Sequence, residues 1–94
     1  MSETQNERVN LVRLGELQKG VKARVRGIRS EAGALGRRFL EMGILEGSPI
    51  EIVHEAPLTR DPIAVKARGA LIALRRQEAN WIEVELIGAE GERT

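Results

Sequence analysis

The sequence predicts a small antiparallel β-barrel carrying one short helix, on three observations. Short runs that alternate apolar and polar residues recur along the chain, as strands with one buried face require. Glycine or proline stands between them, at Gly20, Gly47, Pro57, Pro62 and Gly69. One window alone has helical spacing: Leu35, Phe39 and Met42 fall at i, i+4 and i+7. With 94 residues the chain suffices for one domain and falls short of two.

The first ten residues are polar and aperiodic and read as a flexible tail. Val12, Leu14 and Leu17 then lead to a turn at Lys19-Gly20. Over 21–28, Val21, Ala23 and Val25 alternate with Lys22, Arg24 and Arg26, giving a half-buried strand with a basic outer face. The loop that follows holds Ser30, whose hydroxyl suits a helix N-cap. In the helix, Arg37, Arg38 and Glu41 occupy the face opposite Leu35, Phe39 and Met42. Gly43 sits where a left-handed residue closes the last turn, and Ile44 is then placed to fold back onto Phe39.

A second strand follows, with Ile50, Ile52 and His54 on one face and Glu51, Val53 and Glu55 on the other. Pro57 and Pro62 bound a loop over 56–62 with its tip at Arg60-Asp61. Ile63, Val65 and Ala67 form the inner face of a third strand, and Gly69-Ala70 turns the chain into a fourth over 71–74. Residues 75–79 have room for one helical turn. The last strand points Ile82, Val84 and Leu86 inward and Trp81, Glu83 and Glu85 outward. Residues 88–94 read as a second flexible tail, leaving one domain over 11–87. The fold class is therefore mainly β: five strands in an SH3-like barrel, with the helix inserted after the first. An OB-fold, the competing five-stranded barrel, usually carries its helix between strands three and four.

Composition removes several functions. The chain has no cysteine, so disulfides and thiolate chemistry are out, in keeping with a cytoplasmic setting. No apolar run reaches the length of a membrane span, and the polar start is no signal peptide. The formal net charge is +1, from 15 basic and 14 acidic residues, too balanced for strong attraction to nucleic acid. One Phe, one Trp and no Tyr leave little for stacking bases or gripping proline-rich peptides.

His54 is the one histidine, and no nucleophile or paired carboxylate stands near it in sequence, so no catalytic residue is assigned. His54 and Asp61, with Glu55, are the candidates for a nitrogen–oxygen metal site, against the plainer reading of a packed or rim histidine. No metal or other cofactor is assigned. The arginines and lysines are interleaved with glutamates, as on an ordinary solvated face. Candidate partner-binding residues are Arg37, Arg38 and Glu41 on the helix, Leu58 and Arg60 on the proline-bounded loop, and Trp81.

Several of these segments together resemble a known family. Leu14-x-x-Leu17-x-x-Gly20 leads into the first strand, and Arg38-Phe-Leu-Glu-Met-Gly-Ile-Leu-Glu-Gly47 closes the helix. Ala56-Pro57-Leu58, Asp61-Pro62-Ile63, Leu74-Arg75 and Ile82-x-Val84 follow at matching distances. The chain resembles ferrous iron transport protein A, the small cytoplasmic component of the bacterial Feo system, over about Leu11 to Leu86. That resemblance implies an SH3-like protein that is not an enzyme. It implies a role at the inner face of the membrane, contacting the cytoplasmic part of a GTPase permease, ferrous iron transport protein B, and modulating it. A weak homo-oligomer is a further expected association, and nucleic acid is not an expected partner. The alternatives are a small nucleic-acid-binding barrel and a ferrous metallochaperone.

Overall fold

Burial follows the alternation through most of the chain. The structure, a computed structural model, describes residues 11–87. The tails expected at 1–10 and 88–94 lie outside the described residues. In β2 (Lys22–Ile28) Ala23 and Val25 are buried while Lys22 and Arg26 are exposed. In β4 (Ile63–Ala67) Ile63, Val65 and Ala67 are buried, and in β6 (Ile82–Leu86) Ile82 and Val84 are. These side chains meet Leu14, Phe39, Ile44, Ile50 and Ile52 in one core.

The strands form one antiparallel sheet of six, ordered β1-β6-β2-β3-β4-β5, where β3 is Pro49–Glu55 and β5 is Ala70–Leu74. The additional strand is β1 (Leu11–Arg13), which pairs with β6 through Leu11↔Glu85, Val12↔Val84 and Arg13↔Glu83. Three residues carry no readable alternation, so sequence shows only an apolar lead-in there. Immediately after it a 3-10 turn, Leu14–Glu16, buries Leu14 completely. Gly15 lies so close to the turn beneath that a Cβ there would overlap the Arg76 carbonyl and the Asn80 amide oxygen.

Helix α1 spans Ala34–Glu41 and buries Phe39, with Leu35 and Met42 packed at the margin of the core. Its end is built as Gly43 suggests. Gly43 has φ 96°, its N–H donates to Leu40 O at 3.0 Å, and Ile44 N–H donates to Phe39 O at 3.0 Å. These are the two bonds of a Schellman cap, and Ile44 packs with Phe39 in the core. Ser30 does not cap α1: it opens a separate 3-10 turn, Ser30–Ala32, and Gly33 is the N-cap.

Two further expectations shift. The β4–β5 hairpin turns at Arg68-Gly69, one residue earlier than predicted, since Ala67 pairs with Ala70. Both turn residues have positive φ, 52° and 83°, the geometry of a type I′ turn, and arginine at such a position gives no sequence signal. In β3 the register slips between Ile52, opposite Val65, and His54, opposite Ala64. Val53 is the extra residue of this bulge, and everything beyond it changes face. His54 therefore does not share the face of Ile50 and Ile52. It points outward and is exposed, while Glu55, opposite the buried Ile63, turns to the inner side.

Candidate functional site

The inward turn of Glu55 organises one end of the barrel. Helix α2 (Arg76–Ala79) is a single turn whose start is fixed by Arg75 N–H donating to Glu78 Oε1 at 2.9 Å. From its first residue the Arg76 guanidinium reaches back to the lead-in turn and the end of β3. Nη2 donates to Glu55 Oε1 at 2.8 Å, and Nη1 donates to the carbonyls of Gly15 and Leu17 at 3.0 and 2.8 Å. Nε donates to Arg60 O at 2.9 Å, and the Arg76 backbone N–H donates to Asp61 Oδ1 at 2.9 Å. One side chain, 19% exposed, thus ties together the lead-in turn, the end of β3 and the 56–62 loop. A planar fork of donors at fixed angles suits this role, which a lysine would not fill.

The loop so held has an unusual shape. Ala56 N–H donates to Pro62 O at 3.0 Å, closing its base, and Arg60 N–H donates to Ala56 O at 2.9 Å. Thr59 N–H donates to Pro57 O at 2.7 Å, so Leu58, with φ 70°, is the centre of a γ-turn of the strained, positive-φ kind. Arg60 is also left-handed, at φ 64°. Thr59 Oγ1 donates to Asp61 O at 2.8 Å across the tip. Leu58 itself is 100% exposed. A large apolar side chain on a strained and braced turn, fully in water, is the least expected feature for a purely structural loop.

The other sequence candidates are spread over the surface. Arg37, Arg38 and Glu41 are exposed on α1, and none has an ion-pair partner among the described residues. Trp81 is half-buried against the core, and its carbonyl accepts Arg29 N–H at 2.9 Å. His54 faces outward, while Asp61 is engaged by the Arg76 backbone. Among the described residues no three His, Cys, Asp or Glu side chains gather as metal ligands would. Arg60 joins the loop hub through a long contact to Glu55, 4.0 Å. Arg76 is the residue that sequence reading passes over: it looks like one of a basic pair after a strand. A sole hint was its place one residue into a helical turn that starts beside Leu74.

A family model described as the FeoA domain matches residues 12–86. The chain belongs to the FeoA family. That places it among proteins linked to ferrous iron transport. A relative from Porphyromonas gingivalis, the Fe(2+) transport protein A/Fe(2+) transporter FeoB fusion protein, is 42% identical over 79 residues. The match covers 83% of this chain and spans only 9% of that relative's length. An FeoA-like protein of Clostridium acetobutylicum is similar in structure, with TM-score 0.74, 38% identity, and coverage of 82% of this chain and 87% of that one. FeoA of Stenotrophomonas maltophilia, described as a prokaryotic SH3 domain protein complexed with zinc, matches with TM-score 0.70 and 29% identity. That match covers 79% of this chain and 89% of the other. The SH3-like expectation therefore holds, on an FeoA sheet of six strands. No helix among the described residues is long and apolar enough to cross a membrane.

Proposed function

We propose that this protein is a non-enzymatic accessory of ferrous iron uptake. It binds the cytoplasmic part of ferrous iron transport protein B, the membrane GTPase permease, and modulates its activity from the inner face of the membrane. The observation that carries this reading is the relative in which an A-type protein and the FeoB transporter are one polypeptide. Fusion keeps two modules at high effective concentration, which is useful when they work in contact. The Stenotrophomonas protein, whose description offers it as a candidate ferrous iron transport activating factor, supports the same direction.

On the molecule itself, the braced loop bearing Leu58 and Arg60 is the proposed contact, with the exposed polar face of α1 as a second surface. An apolar anchor on a rigid turn binds without much loss of side-chain or loop freedom. Calorimetric titration of the permease's cytoplasmic domain tests the reading. Association, with a changed rate of GTP hydrolysis, is the expected result. No association under reducing, iron-replete and nucleotide-loaded conditions refutes it.

A further inference from the structure

The two edges of the sheet differ in how they meet solvent. Open edges offer unpaired backbone groups to any extended chain, and proteins usually blunt them with charge, proline or brevity. The β1 edge is blunted: it is three residues long and ends in the exposed Arg13. The β5 edge is not. It reads Ala-Leu-Ile-Ala-Leu over five residues, without a charge or a proline, and Leu71 on it is 62% exposed.

The hairpin fixes which backbone groups of β5 are free. In a two-residue turn the flanking residues, here Ala67 and Ala70, exchange both hydrogen bonds. Bonded and non-bonded pairs then alternate, so Ile72 bonds to Val65, and Leu71 and Ala73 direct their N–H and C=O groups away from β4. Among the described residues nothing bonds to those four groups. On the outer face Ala73 and Ala64, both small, lie in line across the strands, with His54 beyond them on β3.

Charge selects the occupant. Lys66, opposite Leu71, and Arg68 and Arg75 at the two ends of β5 are all exposed. None of the three has an ion-pair partner among the described residues. The whole stretch from Pro62 to Gln77 contains no acidic residue. A second copy of this chain fits poorly. The two-fold register that satisfies Leu71 and Ala73 sets them opposite each other's counterparts and brings each Arg75 against the other copy's Arg68-Gly69 turn, like charge on like.

We propose that the β5 edge is a strand-addition site for an extended segment with an apolar centre and acidic residues at its ends. The segment belongs to the partner proposed above, and only that assignment rests on the proposed function. Main-chain bonds to Leu71 and Ala73 supply affinity, and Arg68, Lys66 and Arg75 supply selectivity for the acidic ends.

The test uses nitrogen-15-labelled protein and two short peptides of alternating valine and threonine, one ended by glutamates and one by lysines. The glutamate peptide is expected to slow amide exchange at Leu71 and Ala73, and the lysine peptide to leave both unchanged. Ala73→Pro removes an outward N–H that the fold does not use, so the melting temperature should hold while peptide affinity falls about tenfold. Leu71→Lys should weaken the same binding without unfolding the domain. Equal binding of both peptides, binding of neither, or protection mapping away from β5 overturns the proposal. So does a concentration-dependent dimer that protects the same amides. If the permease's cytoplasmic domain binds wild type and Ala73→Pro alike, the edge is not its dock, and the proposed function stands without this site. If that domain binds neither while the glutamate peptide protects Leu71 and Ala73, the edge site stands and the proposed function fails.

Discussion

Of the turns that enter the left-handed half of backbone space, the one at the end of α1 and the one between β3 and β4 are built in opposite ways. At the first the left-handed residue is Gly43; at the second they are Leu58 and Arg60. The glycine turn is closed by its neighbours, through backbone bonds from Gly43 to Leu40 and from Ile44 to Phe39. The leucine turn depends on distant help: Arg76 reaches Arg60 across 16 positions and Gly15 across 61. A turn that glycine relaxes needs no brace. A turn that strains ordinary residues must be held, and the holding defines where it presents its tip.

Substitutions that break one turn and spare the other test this contrast. Arg76→Ala should have the largest effect, because Glu55 and three carbonyls lose their donor at a mostly buried site. We expect a loss of about 2–4 kcal/mol, seen as a fall in melting temperature of roughly 10–20 °C. A loss below about 1 kcal/mol would mean that the loop holds its shape without the brace. Next comes Gly43→Val, which forces a β-branched residue to φ 96° and should cost about 1–2 kcal/mol in a denaturant melt.

Leu58→Gly separates strain from function. It relieves a positive φ and removes no packing, so stability should stay level or rise by up to about 1 kcal/mol, while affinity for the permease domain drops. A lowered melting temperature would show that the strain relieved is smaller than the entropy a glycine adds to the unfolded chain. Smallest is His54→Ala: an exposed side chain beyond the bulge should change stability by less than about 0.5 kcal/mol.

The same contrast explains what could be read from sequence. The α1 cap was legible because all its parts lie within a few residues: Phe39, Gly43 and Ile44 at fixed spacing. Alternation likewise revealed the inner faces of β2, β4 and β6. The register slip at Val53 was not legible, since it is set by pairing with β4, although Val53 does break the apolar–polar alternation of Ile50 to Glu55. Neither was the hairpin turn, where Arg68 stands in place of a glycine or asparagine. The loop's brace was hidden for a related reason. Arginine 76 has one neighbourhood in the sequence and another in space, and only the second contains Glu55 and Gly15. Leu58 and Arg60 could be named from the flanking prolines, but the strain and full exposure of Leu58 could not.

The pairing of β1 with β6 has a consequence for how this domain can be joined to others. Leu11 faces Glu85 across one ladder, so the chain begins its described course beside the strand on which it ends it. A linker attached on either side departs from the same border of the sheet, with β2, β3 and β4 between that border and β5. Such a module can be spliced into a larger polypeptide like a bead with both threads at one hole. It stays tethered there while the opposite border remains open to a second chain.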